Sequence, residues 1–366
     1  MKKQKILYLM HVPWGWIKQR PHFLAEELSN YFDINLFCEK GSDKNNITKK
    51  AEIKNLKINN YIESPLKQNR FVTTLFYLIK KKYLHFQVKK ANIIWLTFPA
   101  QYNLIEKSIK PEHIIIYDCM DDMLEIYKNN KTNKILMKLE EKLCKNTNIL
   151  IASSDYLKQK LIRRYKISSE INVINNAIKN ITEINKNIDI PKSLKKIFLT
   201  RNSKNLVYIG TISNWFDFDL IIKILEKNTE ISFILIGPVD TNIPKHDRIF
   251  HYKPVEHKYV FKIMQYADAL IMPFKLNELV KSVNPVKAYE YIYSGKPVIL
   301  KRYPETEKFN KYCYLYDKLS DLLILINDIT KNKLKPKQDK NTCIDFVKRN
   351  TWNNRIEKIN TLIKQL

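Results

Sequence analysis

The sequence lacks the features that mark membrane-spanning, secreted and zinc-binding proteins. No apolar run approaches the roughly 20 residues that a membrane-spanning helix needs. The start of the chain, Lys2–His11, is too short for a signal peptide and is expected to form a first β-strand. The five cysteines lie far apart and form no C-x-x-C pair, so neither a disulfide framework nor structural zinc is expected. These absences predict a cytoplasmic protein with reduced, buried thiols.

Acidic residues are also few in comparison with basic ones. The chain has 64 Lys and Arg against 37 Asp and Glu, a formal net charge of +27 at pH 7. Such an excess favours anionic surfaces, either acidic lipid or nucleic acid. Because Lys, Asn and Ile are abundant everywhere, compositional bias is expected to explain a large share of the charge. A membrane surface is the next interpretation, and nucleic acid is the last.

The residues that are present indicate a globular α/β protein. The 366 residues are 45% hydrophobic and 11% aromatic, enough for two domains with substantial cores. Short apolar runs alternate with amphipathic stretches, which is typical of parallel sheets covered by helices. The expected strands are Lys5–Met10, Asp33–Cys38, Asn92–Thr97, His113–Tyr117, Asn148–Ala152, Asn172–Ile174, Leu206–Ile209, Ile231–Ile236, Arg248–Phe250, Ala269–Met272 and Pro297–Leu300. The expected helices of the first half are Pro21–Tyr31, Arg70–Phe86, Lys134–Lys145 and Tyr156–Tyr165.

Two further segments are assigned from composition and periodicity. Polar sequence from Asn176 to Asn205 is expected to connect the domains, and Cys343–Leu366 has helical periodicity. Ligands of doubly wound sheets bind beyond the carboxyl ends of the strands, so the loops at those ends are where site residues are expected.

Residues 269–300 form a strand, a loop, a helix and a second strand. Asn284 can cap the helix, with Pro285 at its first position. Gly295 follows the last helical residue, where a positive φ is wanted. Val286 then lies at the helix N-terminus, beside any ligand bound there.

The charges of this helix suit a nucleotide. Lys281 and Lys287 flank an N-terminus that already favours phosphate. Glu290 lies one turn beyond Lys287, and its carboxylate can accept both hydrogen bonds of a ribose diol. Together they predict a nucleotide-sugar site. The alternative is a buried amphipathic helix with solvated Lys and Glu side chains.

Other strand ends in the second half carry weaker signals. Gly210 and Thr211 follow one strand and Gly237 follows another, where a tight turn alone would account for the glycines. Asp217 and Asp219 form a D-x-D triplet at a helix start, where capping alone favours acids. No metal site is therefore expected, and His246, His251 and His257 lack ligand-like spacing.

A loop of the first half combines aromatic and basic residues. Trp14, Gly15, Trp16, Arg20 and His22 lie between the first strand and the next helix and could line a site for sugar or phosphate. The alternative is that the tryptophans pack the loop against its own domain.

Three carboxylates follow the fourth of the strong strands. Asp118, Asp121 and Asp122 come at its carboxyl end, where a general base for an acceptor hydroxyl is well located. Asp121 and Asp118 are the leading candidates. The alternative is that Asp121 and Asp122 cap a helix while Asp118 holds a loop.

The helix at 70–90 has an apolar stripe edged by lysines. We expect the stripe to face the core, while the lysines could meet acidic lipid. The stripe comprises Val72, Leu75, Phe76, Ile79, Tyr83 and Phe86, and the lysines are Lys80, Lys81, Lys82, Lys89 and Lys90.

These motifs resemble GT-B-fold bacterial glycosyltransferases of the family 4 type, including the teichuronic acid biosynthesis group. Glu290 and the run Gly295–Val298 match the end of the E-x7-E donor element, although Ser282 stands where the first glutamate is usual. Trp14–Ala25 is similar to the W-x4-Q-R-P-H-x-L-A opening of that group, and Tyr117–Asp122 to its Y-D-x-x-D-D run.

The resemblance implies two Rossmann-like, doubly wound domains facing across a cleft. An acceptor domain at 1–180 and a donor domain at 181–345 are expected, with a helix at 346–366 returning to the first. It implies metal-independent, cofactor-free transfer of a sugar, most plausibly from a UDP-sugar, to a glycan or lipid-linked acceptor of the cell envelope. The donor residues would be Gly210, Thr211, Gly237, Lys281, Asn284, Pro285, Val286, Lys287 and Glu290.

Three alternatives remain open from sequence. A GT-B epimerase would use the same donor without an acceptor, and a non-catalytic scaffold would bind anionic lipid. A nucleic-acid-binding protein would lose affinity steeply with salt. The expected location is the cytoplasm or the inner face of the cell membrane.

Overall fold

The computed structural model describes residues 3–15, 18–40, 52–63, 68–127, 130–180, 188–199 and 203–366. The chain forms two compact units. Met1–Asn175 and Trp352–Leu366 make the first unit, and Asn176–Thr351 makes the second. These limits differ by a few residues from the boundaries expected at 180 and 345.

The first unit is a parallel sheet with helices between its strands. Its elements in chain order are β1 (Lys5–Leu9), α1 (Arg20–Leu28), β2 (Asp33–Cys38), β3 (Leu56–Asn60), α2 (Arg70–Val88), β4 (Ile93–Leu96), α3 (Pro99–Ile105), β5 (Ile114–Cys119), α4 (Met123–Ile126), α5 (Asn130–Asn146), β6 (Ile149–Ala152), α6 (Asp155–Tyr165) and β7 (Ile171–Val173). The strand order is β3-β2-β1-β4-β5-β6-β7, and every neighbouring pair is parallel.

The second unit repeats the plan. Its elements are α7 (Lys192–Leu199), β8 (Lys204–Ile209), α8 (Phe218–Lys227), β9 (Ile231–Ile236), β10 (Ile249–Tyr252), α9 (His257–Met264), β11 (Ala269–Met272), α10 (Glu278–Ser282), α11 (Val286–Ser294), β12 (Val298–Lys301), β13 (Tyr314–Tyr316), α12 (Leu319–Thr330) and α13 (Lys340–Arg349), and α14 (Trp352–Lys364) then ends the chain. The strand order is β10-β9-β8-β11-β12-β13, again parallel throughout.

Both sheets reverse their winding at one place. Chain-adjacent strands run outward from β1 in one direction, and β4 starts the other; β8 and β11 are the equivalent pair in the second sheet. All positions of β4, β6, β9 and β11 are buried, as expected for strands covered on both faces. The crevice beyond the carboxyl ends at such a reversal is the usual ligand site.

The predicted α/β class is confirmed, as are the expected strands and the four expected helices, with ends shifted by a few residues. Sequence reasoning missed β3, an edge strand whose sequence LKINN is mostly polar, and the short elements β13 and α3. It also missed α7, inside the stretch taken for a connection, where Leu194 and Phe198 are buried.

The C-terminal periodicity divides into two helices. Asn350 accepts a hydrogen bond from the Ile178 amide at 3.0 Å, and Thr351 forms a bridge with Ile178, which breaks the pattern between α13 and α14. The Trp352 ring then stacks on Phe23 of α1, 5.3 Å between centroids. The last helix therefore belongs to the first unit.

One expectation for α2 is wrong. Its apolar stripe was expected to face the core, but Leu84 and Val88 are its only buried residues. Leu75, Ile79, Tyr83 and Phe86 of the predicted stripe are exposed. The periodicity of a helix fixes which residues share a face, not which face is covered.

Among the described residues, no helix is long and apolar enough to cross a bilayer.

Candidate functional site

Two glycines meet at the carboxyl ends of β8 and β9 in the second sheet. Gly210 follows β8 and Gly237 follows β9, and the Gly210 amide donates to the carbonyl of Ile236 at 2.9 Å. Gly237 has φ +147°, and a Cβ there would lie 2.0 Å from the Gly210 carbonyl oxygen. A Cβ on Gly210 would lie 2.7 Å from the Tyr208 hydroxyl, which itself donates to the Thr211 carbonyl at 2.9 Å. A side chain added at either glycine would therefore overlap with protein atoms.

The loops after β8 and β11 are joined to each other. The amide of Asp217 donates to the Pro273 carbonyl at 2.8 Å, and the amide of Lys275 donates to the Trp215 carbonyl at 2.7 Å. Both carboxylates of the D-x-D triplet have partners close to them in the chain or in the neighbouring loop. Asp217 caps α8 through the Leu220 amide, and Asp219 pairs with Lys275 at 2.8 Å.

The segment before α11 departs from the sequence prediction. The helix begins at Val286, Pro285 is its N-cap, and no side chain caps it. Asn284 was expected to cap the helix, which is wrong. Its buried side chain instead accepts from the Asn176 amide at 3.1 Å and from the Tyr289 hydroxyl at 3.2 Å, and donates to Glu305 at 3.2 Å. Asn284 thus fixes the approach to the helix.

The predicted end of α11 is confirmed: Gly295 follows Ser294 with φ +70°. The helix is tied to the sheet by the Tyr291 hydroxyl, which accepts from the Ile209 amide at 2.9 Å. The second turn of α11 is thereby held close to the end of β8.

Glu290 lies between two basic side chains. Its Oε2 is 2.6 Å from Lys287 Nζ, and its Oε1 is 2.8 Å from His257 Nε2. The Glu290 side chain is 4% exposed, against 26% for Lys287 and 30% for His257. Burial raises the pKa of the Glu290 carboxyl, but Lys287 and His257 outweigh it and lower the pKa to about 2. The Glu290 side chain is therefore ionised at neutral pH, and it lies beneath two accessible nitrogen groups. We call Glu290, Lys287 and His257 the Glu290 cluster.

Lys281 and Ser282 lie on the short helix before this cluster. Lys281 pairs with Glu278 at 3.0 Å. Ser282 is fully buried and donates to the Leu279 carbonyl at 2.6 Å. The residue at the position of the usual first glutamate therefore points into the unit.

In the first unit, Asp118 is held by Arg20. Arg20 Nε lies 3.0 Å from Asp118 Oδ1, and Nη2 lies 2.8 Å from the same oxygen. Arg20 Nη1 donates to the Ile174 carbonyl at 2.7 Å. Both side chains are buried, so this fork joins α1, β5 and the end of β7.

Asp121 has a different environment. No hydrogen bond or ion pair of its carboxylate is found within the described part of the chain. Burial raises the pKa of the Asp121 carboxyl to about 7; Arg20 opposes the shift, and Asp118 and Asp122 reinforce it. A carboxyl that is half ionised near neutral pH suits general acid–base work.

Asp122 is an anchor for α6. Its Oδ2 pairs with Lys160 and Arg164, each at 2.8 Å. Burial raises the pKa of Asp122, but these two cations outweigh it and leave the pKa below its usual value. Arg164 also lies 3.5 Å from Glu140, so the anchor continues into the interior.

The loop after β1 is packed inward. Trp14 is buried against His22, 5.3 Å between ring centroids. His22 Nε2 is 3.1 Å from the Pro13 carbonyl, and its Nδ1 accepts from the Gln19 amide at 3.2 Å. Burial lowers the pKa of His22 to about 4, so it is neutral at pH 7. Trp14, Arg20 and His22 thus have internal contacts, and Gly15 is half-buried. Trp16 lies outside the described residues.

Sequence reasoning found Lys287 and Glu290 but missed His257. That residue begins α9, 33 positions before Glu290, and reaches it because α9 packs on α11. No local spacing signals such a contact.

Comparisons with known proteins agree with this topology. HepE of Anabaena, solved in complex with UDP and glucose, superposes with a TM-score of 0.74 at 14% identity over 99% of this chain and 100% of that one. Sucrose-phosphate synthase of Thermosynechococcus elongatus gives a TM-score of 0.74 at 11% identity over 99% of both chains.

The chain has the GT-B fold. Among curated sequences, it is 26% identical over 243 residues to the protein named "Putative teichuronic acid biosynthesis glycosyltransferase TuaH" of Bacillus subtilis (strain 168). That alignment covers 61% of this chain and 59% of the relative. The matched region is thus about three fifths of each protein. No protein-family model matches the chain.

Proposed function

We propose that this GT-B protein is a glycosyltransferase of the hexosyltransferase type that uses a nucleoside-diphosphate sugar, with UDP as the nucleotide. The Glu290 cluster beside the bare backbone of Gly210 and Gly237 carries the proposal. It combines a carboxylate for hydroxyl donors, a cation for phosphate and a close backbone approach at the ligand edge of a Rossmann-like sheet. The similarity to HepE, solved with UDP and with UDP-glucose, supports this donor class.

The donor contacts follow from the chemistry of each group. Glu290 accepts the hydrogen bonds of the ribose diol, and Lys287 turns from Glu290 toward the diphosphate. The amides near Pro285 and Val286 supply the positive end of α11. Gly210, Thr211 and Gly237 admit the diphosphate to the backbone, and Lys281 adds charge nearby. Asn284 acts indirectly, by fixing the segment before the helix.

The first unit supplies the acceptor side. The acceptor is a glycan or a lipid-linked glycan of the cell envelope, in line with the name of the Bacillus relative. Its hydroxyl attacks the anomeric carbon as the bond from that carbon to the diphosphate oxygen breaks. Asp121 takes the hydroxyl proton, and Asp118, fixed by Arg20, positions the loop that carries it.

The negative charge of the leaving nucleoside diphosphate is compensated by positive groups of the protein. Lys287, Lys281 and the N-terminus of α11 provide that balance without a metal ion. Transfer is therefore expected to persist in EDTA. The proposed location is the cytoplasm, at the inner face of the membrane where lipid-linked acceptors lie.

Thermal unfolding with UDP, GDP, CMP and ADP tests the donor site. A ligand at about a hundred times its Kd stabilises a protein by about 2.7 kcal/mol, so UDP is expected to raise the Tm by several degrees. Glu290→Ala should abolish the shift. Glu226→Ala, an exposed position on α8, is the matched control and should keep it.

Three results would contradict the proposal in different ways. Equal shifts in Glu290→Ala and the parent would show that the Glu290 cluster is not part of the donor site. No shift with any nucleotide would show that the protein does not bind a donor of this class. Conversion of a UDP-sugar without any acceptor would indicate an epimerase instead.

A further inference from the structure

Helix α2 turns its most apolar side away from the protein. Phe71 is 80% exposed, Leu78 55%, Phe86 53% and Leu75 47%. At about 100° per residue, these residues and Ile79 fall in one sector of roughly 100°. Leu75 and the buried Leu84 are nine residues apart, which places them on opposite sides. We call this sector the outer face of α2.

An amphipathic helix of a globular protein normally buries its apolar stripe. The buried residues of α2 are Leu84 and Val88, and those of the outer face stay exposed in the part of the chain that the structure describes. A contiguous exposed apolar surface of this kind marks an interaction site. The face runs from Phe71 to Phe86, so at about 1.5 Å per residue it is about 22 Å long.

The charge around this face identifies the partner. Residues 70–90 contain six Lys and Arg and no Asp or Glu. Lys82 lies within the apolar sector by helical angle, and Lys89 and Lys90 follow the end of the helix; all three are exposed. Exposed Phe and Leu with Lys among and beside them are the composition of helices that lie in the interface of anionic bilayers.

We propose that the outer face of α2 docks this protein on an anionic membrane surface, with Phe71, Leu75, Leu78 and Phe86 entering the acyl boundary and Lys82, Lys89 and Lys90 contacting lipid phosphates. The proposal extends the proposed function, which requires a membrane only if the acceptor is lipid-linked. Vesicle binding needs no substrate, so either proposal can fail while the other stands.

Other occupants fit the face less well. A two-fold contact between copies pairs this face with a second face of the same composition. Because residues 70–90 contain no Asp or Glu, the basic residues of one copy would find no acidic partner on that face. Nucleic acid satisfies the lysines but leaves the aliphatic residues Leu75, Leu78 and Ile79 exposed.

Co-sedimentation with vesicles tests the proposal. The purified full chain is mixed with phosphatidylcholine vesicles that contain either no anionic lipid or 30% phosphatidylglycerol, a composition of roughly the charge density of anionic leaflets. Binding is expected to the anionic vesicles alone. The variant Phe71→Ser, Leu75→Ser, Leu78→Ser and the variant Lys82→Gln, Lys89→Gln, Lys90→Gln should each weaken it about tenfold or more.

Matched controls come from exposed residues elsewhere. Leu199→Ser, Ile324→Ser, Leu366→Ser removes three exposed apolar side chains, and Lys331→Gln, Lys333→Gln, Lys335→Gln removes three exposed charges of the second unit. Both should bind as the parent does. Unchanged Tm in every variant confirms that folding is intact.

The proposal is overturned if the parent does not bind anionic vesicles, or if both control variants lose as much affinity as the α2 variants. It is also overturned if the serine variant binds as the parent does, because attraction would then come from charge alone. Binding to duplex DNA with loss of the same affinity in the α2 variants, but without vesicle binding, would assign the face to nucleic acid. A dimer that the serine variant dissociates would assign it to a second copy.

Discussion

At the scale of residues, the contact between Gly210 and Gly237 is the tightest constraint on the second unit. The chain has only five glycines, and two of them lie side by side at the end of β8 and β9. A side chain at 237 meets backbone, which cannot turn aside, and φ +147° is itself unfavourable for an L-residue.

Gly237→Ala is expected to lower the free energy of unfolding by about 3 kcal/mol or more, since it combines steric overlap with backbone strain. Gly295→Ala is the control. It has φ +70° but nothing within 4 Å of an added Cβ, so about 1 kcal/mol is expected. Urea unfolding measures both, and equal losses would show that the Gly210 contact adds nothing.

The raised pKa of Asp121 predicts how the free energy of unfolding depends on pH. Its pKa of about 7 lies above the usual value for Asp, so the folded state holds a proton that the unfolded state releases near pH 4. Stability from this group is present at low pH and is lost as pH rises through about 7. Asp121→Asn should therefore be more stable than the parent at pH 8 and equal to it near pH 4.

The same residue gives a second readout. If Asp121 is the base, transfer by the parent should rise with pH to a plateau above about 7, while Asp121→Asn should be inactive at every pH. A variant that retains the parent rate would exclude Asp121 as the base, and a stability difference that grows toward low pH would contradict the raised pKa.

At the scale of elements, the Glu290 cluster depends on two helices that meet. Helix α11 provides Lys287 and Glu290 within one turn, and α9 contributes His257 from its first position. The Glu290 carboxylate is therefore oriented by a neighbouring helix as well as by its own, and the side chain of His257 positions it without any need to contact the nucleotide.

His257→Ala should weaken UDP binding about three- to tenfold, because Glu290 loses one of two hydrogen bonds to a charged group. His257→Gln, which keeps a donor, should restore most of the affinity. Lys258→Ala, exposed on the same turn and paired with Glu256 at 2.9 Å, is the control for isothermal titration calorimetry. Tighter binding by His257→Ala would mean that the histidine blocks the carboxylate instead of orienting it.

At the scale of the whole molecule, the sequence predicted the features that depend on residues close together in the chain. Runs such as Ile231–Ile236 gave the strands, and the spacing of Lys287 and Glu290 on one helix gave half of the cluster. The contacts of Arg20 with Asp118, 98 residues apart, and of His257 with Glu290 arise from packing. The outer face of α2 was misjudged for the same reason, since periodicity says nothing about which side another element covers.

The discontinuity of the first unit has a consequence for synthesis on the ribosome. Residues up to Asn175 are translated before the second unit, whereas Trp352, which stacks on Phe23, is translated after it. The second unit, being continuous, can fold in the meantime, since domains generally fold as units while the chain grows. A product truncated before α14 therefore has a folded second unit and an incompletely folded first unit. The α1 surface that α14 normally covers would then be exposed, so such a fragment is expected to be degraded faster than the intact chain.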